Sequence, residues 1–126
     1  MKSDIIYEAK EFKNIKEIMY NSAKEYNDRP AFVIKHKEDG KTEYENISYT
    51  KLIEDINSFG TELFSMGLKG KRIAIIGKNR YEWVLSYITN LFGGIVSVPL
   101  DKDLQLEELE NSLVRSKADA IIFDPK

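Results

Sequence analysis

Phe12, Ile15, Met19, Ala23 and Tyr26 recur three or four residues apart, the spacing of one face of an α-helix. Asn14 stands where an N-cap would, with Glu17 three residues on to reach back to the backbone. A first amphipathic helix is therefore predicted over roughly residues 14–27. The stretches AFVIKH and TEYENI then flank Asp39-Gly40, the dipeptide that most readily supplies the positive φ angles of a tight hairpin turn. Next comes a stripe of Tyr49, Leu52, Ile53, Ile56, Phe59, Leu63 and Phe64. Ser48 is placed to cap this second helix and Gly67 to end it in the left-handed conformation. Gly60 inside it costs about 1 kcal/mol relative to alanine, which predicts a close approach to a neighbouring backbone.

Beyond Gly67 the period alternates. RIAII reads as a buried strand, RYEWVLSYITNLF as a helix apolar on almost every side, IVSVPL as a strand, residues near 105–116 as a helix, and AIIF as a strand. The predicted order is a helix, a hairpin, then αβαβαβ. This is an α/β chain with a partial doubly wound parallel sheet covered on both faces.

Composition narrows the classes of function. The chain has 126 residues, enough for one domain spanning 1–126, and 42% of them are hydrophobic. Its 19 basic and 21 acidic side chains are interspersed and sum to −2, so no nucleic-acid partner is expected. With no cysteine there is neither a disulfide, a thiolate metal site nor a cysteine nucleophile. Charges lie where a signal peptide would have its apolar core, and the most apolar window, Leu91–Leu100, is short for a membrane span and carries Gly93, Gly94, Ser97 and Pro99. A cytoplasmic protein with no transmembrane segment is the expectation.

Candidate chemistry begins at Gly77. A dinucleotide fingerprint needs three spaced glycines and a Walker loop needs Gly-Lys-Ser/Thr; here a single glycine precedes Lys78-Asn79. The simpler reading makes Asn79 the helix cap with Glu82 completing a capping box. The functional one holds an anion at that helix start with help from Lys78. Gly93-Gly94 reads as a helix stop, and Pro99 as the residue where a strand leaves the sheet. His36, the only histidine, lies among charges in the hairpin, and Lys69, Lys71 and Arg72 form a solvated basic turn. Tyr81, Trp83 and Tyr87 are expected in the core. Glu107, Glu108 and Glu110 suit the positive end of the helix that begins there. No catalytic, cofactor-binding or metal residue is assigned from these features.

In order, Ser48-Tyr49 with Leu52, GLKGKRIAIIGKN, Glu82-Trp83, Gly93-Gly94 and VPLD resemble the amino-terminal part of the acyl-adenylate-forming enzymes, the AMP-dependent synthetases and ligases. Among these the chain is most similar to bacterial long-chain fatty acid–CoA ligases. The resemblance runs from about Phe12 to Phe123 but spans only the opening fraction of such an enzyme. It implies an ATP-dependent activation of a carboxylate to an acyl-adenylate, then thioester formation with coenzyme A. The family's Ser/Thr/Gly-rich phosphate loop with its lysine, its Thr-Glu pair and its ribose aspartate have no counterpart here; NSFGT is the nearest stretch and sits in the second helix.

The resemblance therefore makes Tyr49, Asn79, Trp83 and Pro99 framework positions. ATP, magnesium and coenzyme A would be expected of the parent enzyme and none of this chain alone, which would be inactive. Its partners would be the remainder of that enzyme or a second copy, through an uncovered sheet edge or face. A stand-alone α/β module binding a nucleotide or a protein is the other reading.

Overall fold

The computed structural model describes residues 7–125. The first helix, α1 (Ile15–Tyr26), is capped by Asn14, whose side chain accepts from the Glu17 N–H at 2.9 Å, while Glu17 Oε2 accepts from the Lys13 N–H at 2.7 Å. Two donors at the helix start are thus satisfied reciprocally. Strands β1 (Pro30–Glu38) and β2 (Lys41–Ser48) pair antiparallel. The turn between them has φ of 47° at Asp39 and 76° at Gly40, the two positive angles that match the twist of the flanking strands.

Helix α2 (Tyr49–Ser65) is capped by the Ser48 hydroxyl accepting from the Lys51 N–H at 3.0 Å. It ends at Gly67, φ 77°, where the Leu68 N–H reaches Leu63 O and the Gly67 N–H reaches Phe64 O, the paired bonds that satisfy the last carbonyls of a helix. Strand β3 (Arg72–Ile76), helix α3 (Tyr81–Phe92), strand β4 (Val96–Leu100), helix α4 (Leu106–Ser116) and strand β5 (Ala120–Phe123) complete the described chain. The three strands form one parallel sheet in the order β4-β3-β5. Pro99 thus falls on an edge strand, where a missing N–H is tolerated.

The core lies on one face of this sheet. Ile73 and Ile95 pack with Leu63 of α2, and Phe59, Leu68, Ala120 and Ile122 close around them. Burying each of the large aliphatic side chains contributes about 1.5–3 kcal/mol. α3 lies on the same face: its fully buried Asn90 donates to Ser97 Oγ of β4 at 2.9 Å. α4 takes the other face, where Leu109 and Leu113 share a cleft with Ile121 and Phe123. Helices therefore cover both faces, as the alternating pattern predicts.

Three details depart from the sequence reading. The cap of α3 is Arg80, not Asn79, and the Arg80 side chain makes no capping hydrogen bond; its guanidinium lies 3.4 Å from Asp124 instead. The buried face of α3 is polar and small, Ser86, Thr89 and Asn90, whereas its apolar residues are half-buried or exposed. The neighbour of Gly60 is not backbone: a β-carbon there would stand 3.4 Å from the Thr89 methyl. Close helix packing demands small residues at the contact, which explains the second and third together.

Candidate crevice at the strand ends

Strand β3 occupies the middle of the sheet; the chain leaves it for β4 on one side and crosses back to β5 on the other. In such a sheet the loops diverge at the carboxyl ends of the two strands where the order reverses, and ligands bind in the crevice they open. Here that point lies between β3 and β5. A cleft of about 230 Å³ sits there, lined by Gly77, Lys78, Arg80, Trp83, Phe123 and Asp124 among others.

Its floor follows from one close approach. The Asp124 N–H donates to Ile76 O at 3.1 Å, which brings the Asp124 side chain over Gly77. A β-carbon on Gly77 would stand 3.0 Å from Asp124 Cβ, closer than real β-carbons pack. Gly77 is thus required by a residue 47 positions away. Arg80 at the start of α3 faces Asp124, whose side chain is only 14% exposed, so the ion pair draws the two strand ends together. Trp83 forms one wall, half-buried and stacked on Tyr87 with centroids 5.5 Å apart and rings 7° from parallel. The aromatic residues of α3 are therefore wall and brace rather than core. Tyr81 braces the hairpin edge-on through Phe32 and donates from its hydroxyl to Asp55 of α2.

The remaining sequence candidates lie elsewhere. His36 Nε2 lies 2.9 Å from Glu45 Oε2 across the hairpin. The basic turn is engaged as well as solvated: Arg72 donates to Ser116 O at 3.1 Å, and Lys69 sits 5.5 Å from the centre of the Phe64 ring. Gly93 and Gly94 end α3 as expected, Gly94 at φ 64° with the Ile95 N–H on Asn90 O. Glu107 and Glu108 occupy the first turn of α4, with Glu110 in the same helix. Gly77, Arg80 and Asp124 form the constellation that the sequence reading did not assemble.

The crevice carries charge of both signs. Lys78 and Arg80 bring positive charge, but Arg80 faces Asp124, and Glu82 adds a second carboxylate. Among the described residues no group of three His, Cys, Asp or Glu side chains could hold a metal ion. Nor is any described helix long and apolar enough to cross a membrane.

Comparison with known proteins places this architecture. The family model for AMP-binding enzymes matches residues 19–126. The chain belongs to the AMP-binding enzyme family. Among curated relatives, the mitochondrial medium-chain acyl-CoA ligase of Mus musculus is 32% identical over 103 residues, covering 81% of this chain and 16% of that protein. Fatty acyl-CoA synthetase A of Dictyostelium discoideum is 34% identical over 90 residues, 70% of this chain and 14% of its own length. The chain thus spans about a sixth of the relatives it matches.

Solved structures agree on the fold. The N-terminal subdomain of Klebsiella oxytoca NpsA superposes with a TM-score of 0.77 at 20% identity, over 90% of this chain and 28% of that one. The fatty acid AMP ligase from Legionella pneumophila gives 0.77 at 16% identity, over 91% of this chain and 20% of that one. The α/β architecture is that of the amino-terminal region of adenylate-forming ligases.

Proposed function

We propose that residues 1–126 form the amino-terminal subdomain of an ATP-dependent acid–CoA ligase, which activates a fatty acid through an acyl-adenylate and passes the acyl group to the thiol of coenzyme A. What supports this reading above all is the family match over residues 19–126. In the parent enzyme the crevice between β3 and β5 frames the site, held in shape by Gly77, Arg80 and Asp124. This chain positions; the groups that bind ATP, magnesium and coenzyme A belong to the rest of the enzyme.

The substrate class rests on the names of the relatives, which are medium-chain acyl-CoA ligases and a fatty acyl-CoA synthetase. Medium-chain acids therefore stand first, beside the long-chain acids that the sequence resemblance favours. Acid-dependent exchange of pyrophosphate into ATP, run on the parent protein with acids of graded length, tests both the reaction and the chain length.

A further inference from the structure

Each end of β5 is tied to β3 through an aspartate. Just before the strand, the Asp119 N–H donates to Arg72 O at 2.7 Å while its carboxylate accepts from the Arg72 N–H at 2.8 Å. Both main-chain groups of Arg72 are thus held by one residue, and the Arg72 guanidinium donates to Ser116 O at the end of α4. Just after the strand, the Asp124 N–H donates to Ile76 O, and the Asp124 side chain lies over Gly77 and faces Arg80. Between these ties run only Ala120, Ile121, Ile122 and Phe123, paired with Ile73, Ala74, Ile75 and Ile76.

Apolar side chains alone do not choose that register. Ala118, Ala120, Ile122 and Asp124 are half-buried, whereas Asp119, Ile121 and Phe123 between them are exposed. Because a strand has a period of two, a shift of two residues keeps every side chain on its own face. Shifted one way, Asp124 would come opposite the fully buried Ile75, which the cost of burying a charge opposes. Shifted the other way, Ala118, Ala120 and Ile122 would take the places of Ala120, Ile122 and Asp124. That set is apolar throughout. What opposes this second shift is polar: it would carry Asp119 into the ladder opposite Ala74 and break both of its bonds to Arg72.

We infer that Asp119 is a positioning residue for the crevice: from the far end of β5, roughly 16 Å along the strand from Asp124, it locks the register that sets Asp124 over Gly77. In the shifted register Ile122 would stand over Gly77 instead, and the crevice would lose the carboxylate that faces Arg80. The inference concerns geometry within residues 72–124 and holds whichever reaction the parent protein runs.

Amide exchange and tryptophan fluorescence of the 126-residue chain test it. Trp83 is the only tryptophan and lines the crevice, so its emission reads that place in the folded protein. The Ile95 amide, bonded to Asn90 O away from β5, serves as the internal reference. Asp119→Ala should speed exchange of the Asp124 amide relative to that of Ile95 at least about tenfold, as loss of a bond to a charged acceptor implies, and should change Trp83 emission with circular dichroism retained. Asp119→Asn keeps an acceptor for the Arg72 N–H and should match the wild type in both readouts. Ser48→Ala removes the cap of α2 and lowers general stability, yet should leave both unchanged. Adding Ala118→Lys to Asp119→Ala should restore both, since the shifted register would set the lysine opposite the buried Ile73. An Asp119→Ala chain with wild-type exchange at Asp124 and wild-type emission, an Asp119→Asn chain that behaves like Asp119→Ala, no recovery with Ala118→Lys, or loss of the whole fold in Asp119→Ala would each overturn the inference.

Discussion

The hydroxyl of Tyr81 donates to Asp55 Oδ2 at 2.8 Å, joining the first turn of α3 to the middle of α2 across 26 positions of sequence. Burial, and then the bond to Asp55, raise the Tyr81 phenol above its ordinary pKa. Burial also opposes the charge on Asp55, but bonds from Lys51 and Tyr81 outweigh it and hold its carboxyl below the usual range. Two packed helices are thus tied by one charge-assisted hydrogen bond at a half-buried site.

Tyr81→Phe should cost about 1–2 kcal/mol at neutral pH, measured by urea unfolding. The pH dependence has a fixed sign at each end. A folded-state pKa raised above the unfolded one stabilises fully below about pH 10 and is lost as pH rises beyond it, so the wild type should lose stability there that Tyr81→Phe does not. A depressed Asp55 stabilises above the ordinary carboxylate range, and that contribution goes as pH falls through its folded value. The gap between wild type and variant should therefore narrow in acid as well.

Gly77 and Gly60 should respond oppositely to alanine. At Gly77 the new methyl meets Asp124 Cβ at 3.0 Å and the Asp124 backbone behind it, so Gly77→Ala should destabilise by about 1–3 kcal/mol through displacement of β5. At Gly60 the contact is an ordinary 3.4 Å to the Thr89 methyl, and the gain in helix propensity of up to about 1 kcal/mol should leave Gly60→Ala neutral or more stable. Thermal unfolding of both variants checks the contrast.

Trp83 has less to lose than a core tryptophan. Half-buried beside the crevice and stacked on Tyr87, it should cost about 1–3 kcal/mol when replaced by alanine, below the ~3–5 kcal/mol of a fully buried site. Chemical denaturation measures it; a loss above about 4 kcal/mol would place it back in the core.

Local chemistry made much of this fold legible. Asn14, Ser48, Asp39-Gly40, Gly67 and Gly94 act on backbone within a few residues of themselves, and each does in the structure what its residue type dictates. The strands of the parallel sheet were legible because they are short and rich in apolar residues. What escaped depends on distant partners. Arg80 displaces Asn79 as the start of α3 where its guanidinium faces Asp124, just past the end of β5, and no window around residue 80 contains that aspartate. The polar buried face of α3 is set by the space that Gly60 of α2 leaves, so hydrophobicity alone placed the wrong side inward. The crevice exists only once parallel pairing brings Gly77 and Asp124 together.

Nucleotide affinity separates a framing subdomain from a self-sufficient binding module. With Arg80 facing Asp124 and no metal-holding group among the described residues, the 126-residue chain should bind ATP or AMP with a dissociation constant of about 1 mM or weaker. Calorimetry with magnesium present measures it. Micromolar binding would favour the stand-alone module and make Lys78 and the start of α3 its anion site.

The most direct measurement is pyrophosphate exchange into ATP, run side by side on the 126-residue chain and on the parent protein with short-, medium- and long-chain and aromatic acids. We expect no exchange by the chain alone, acid-dependent exchange by the parent with fatty acids preferred, and thioester once coenzyme A is added. Exchange catalysed by the short chain would contradict its role as a framing subdomain, and a parent inert toward every acid would contradict the ligase itself.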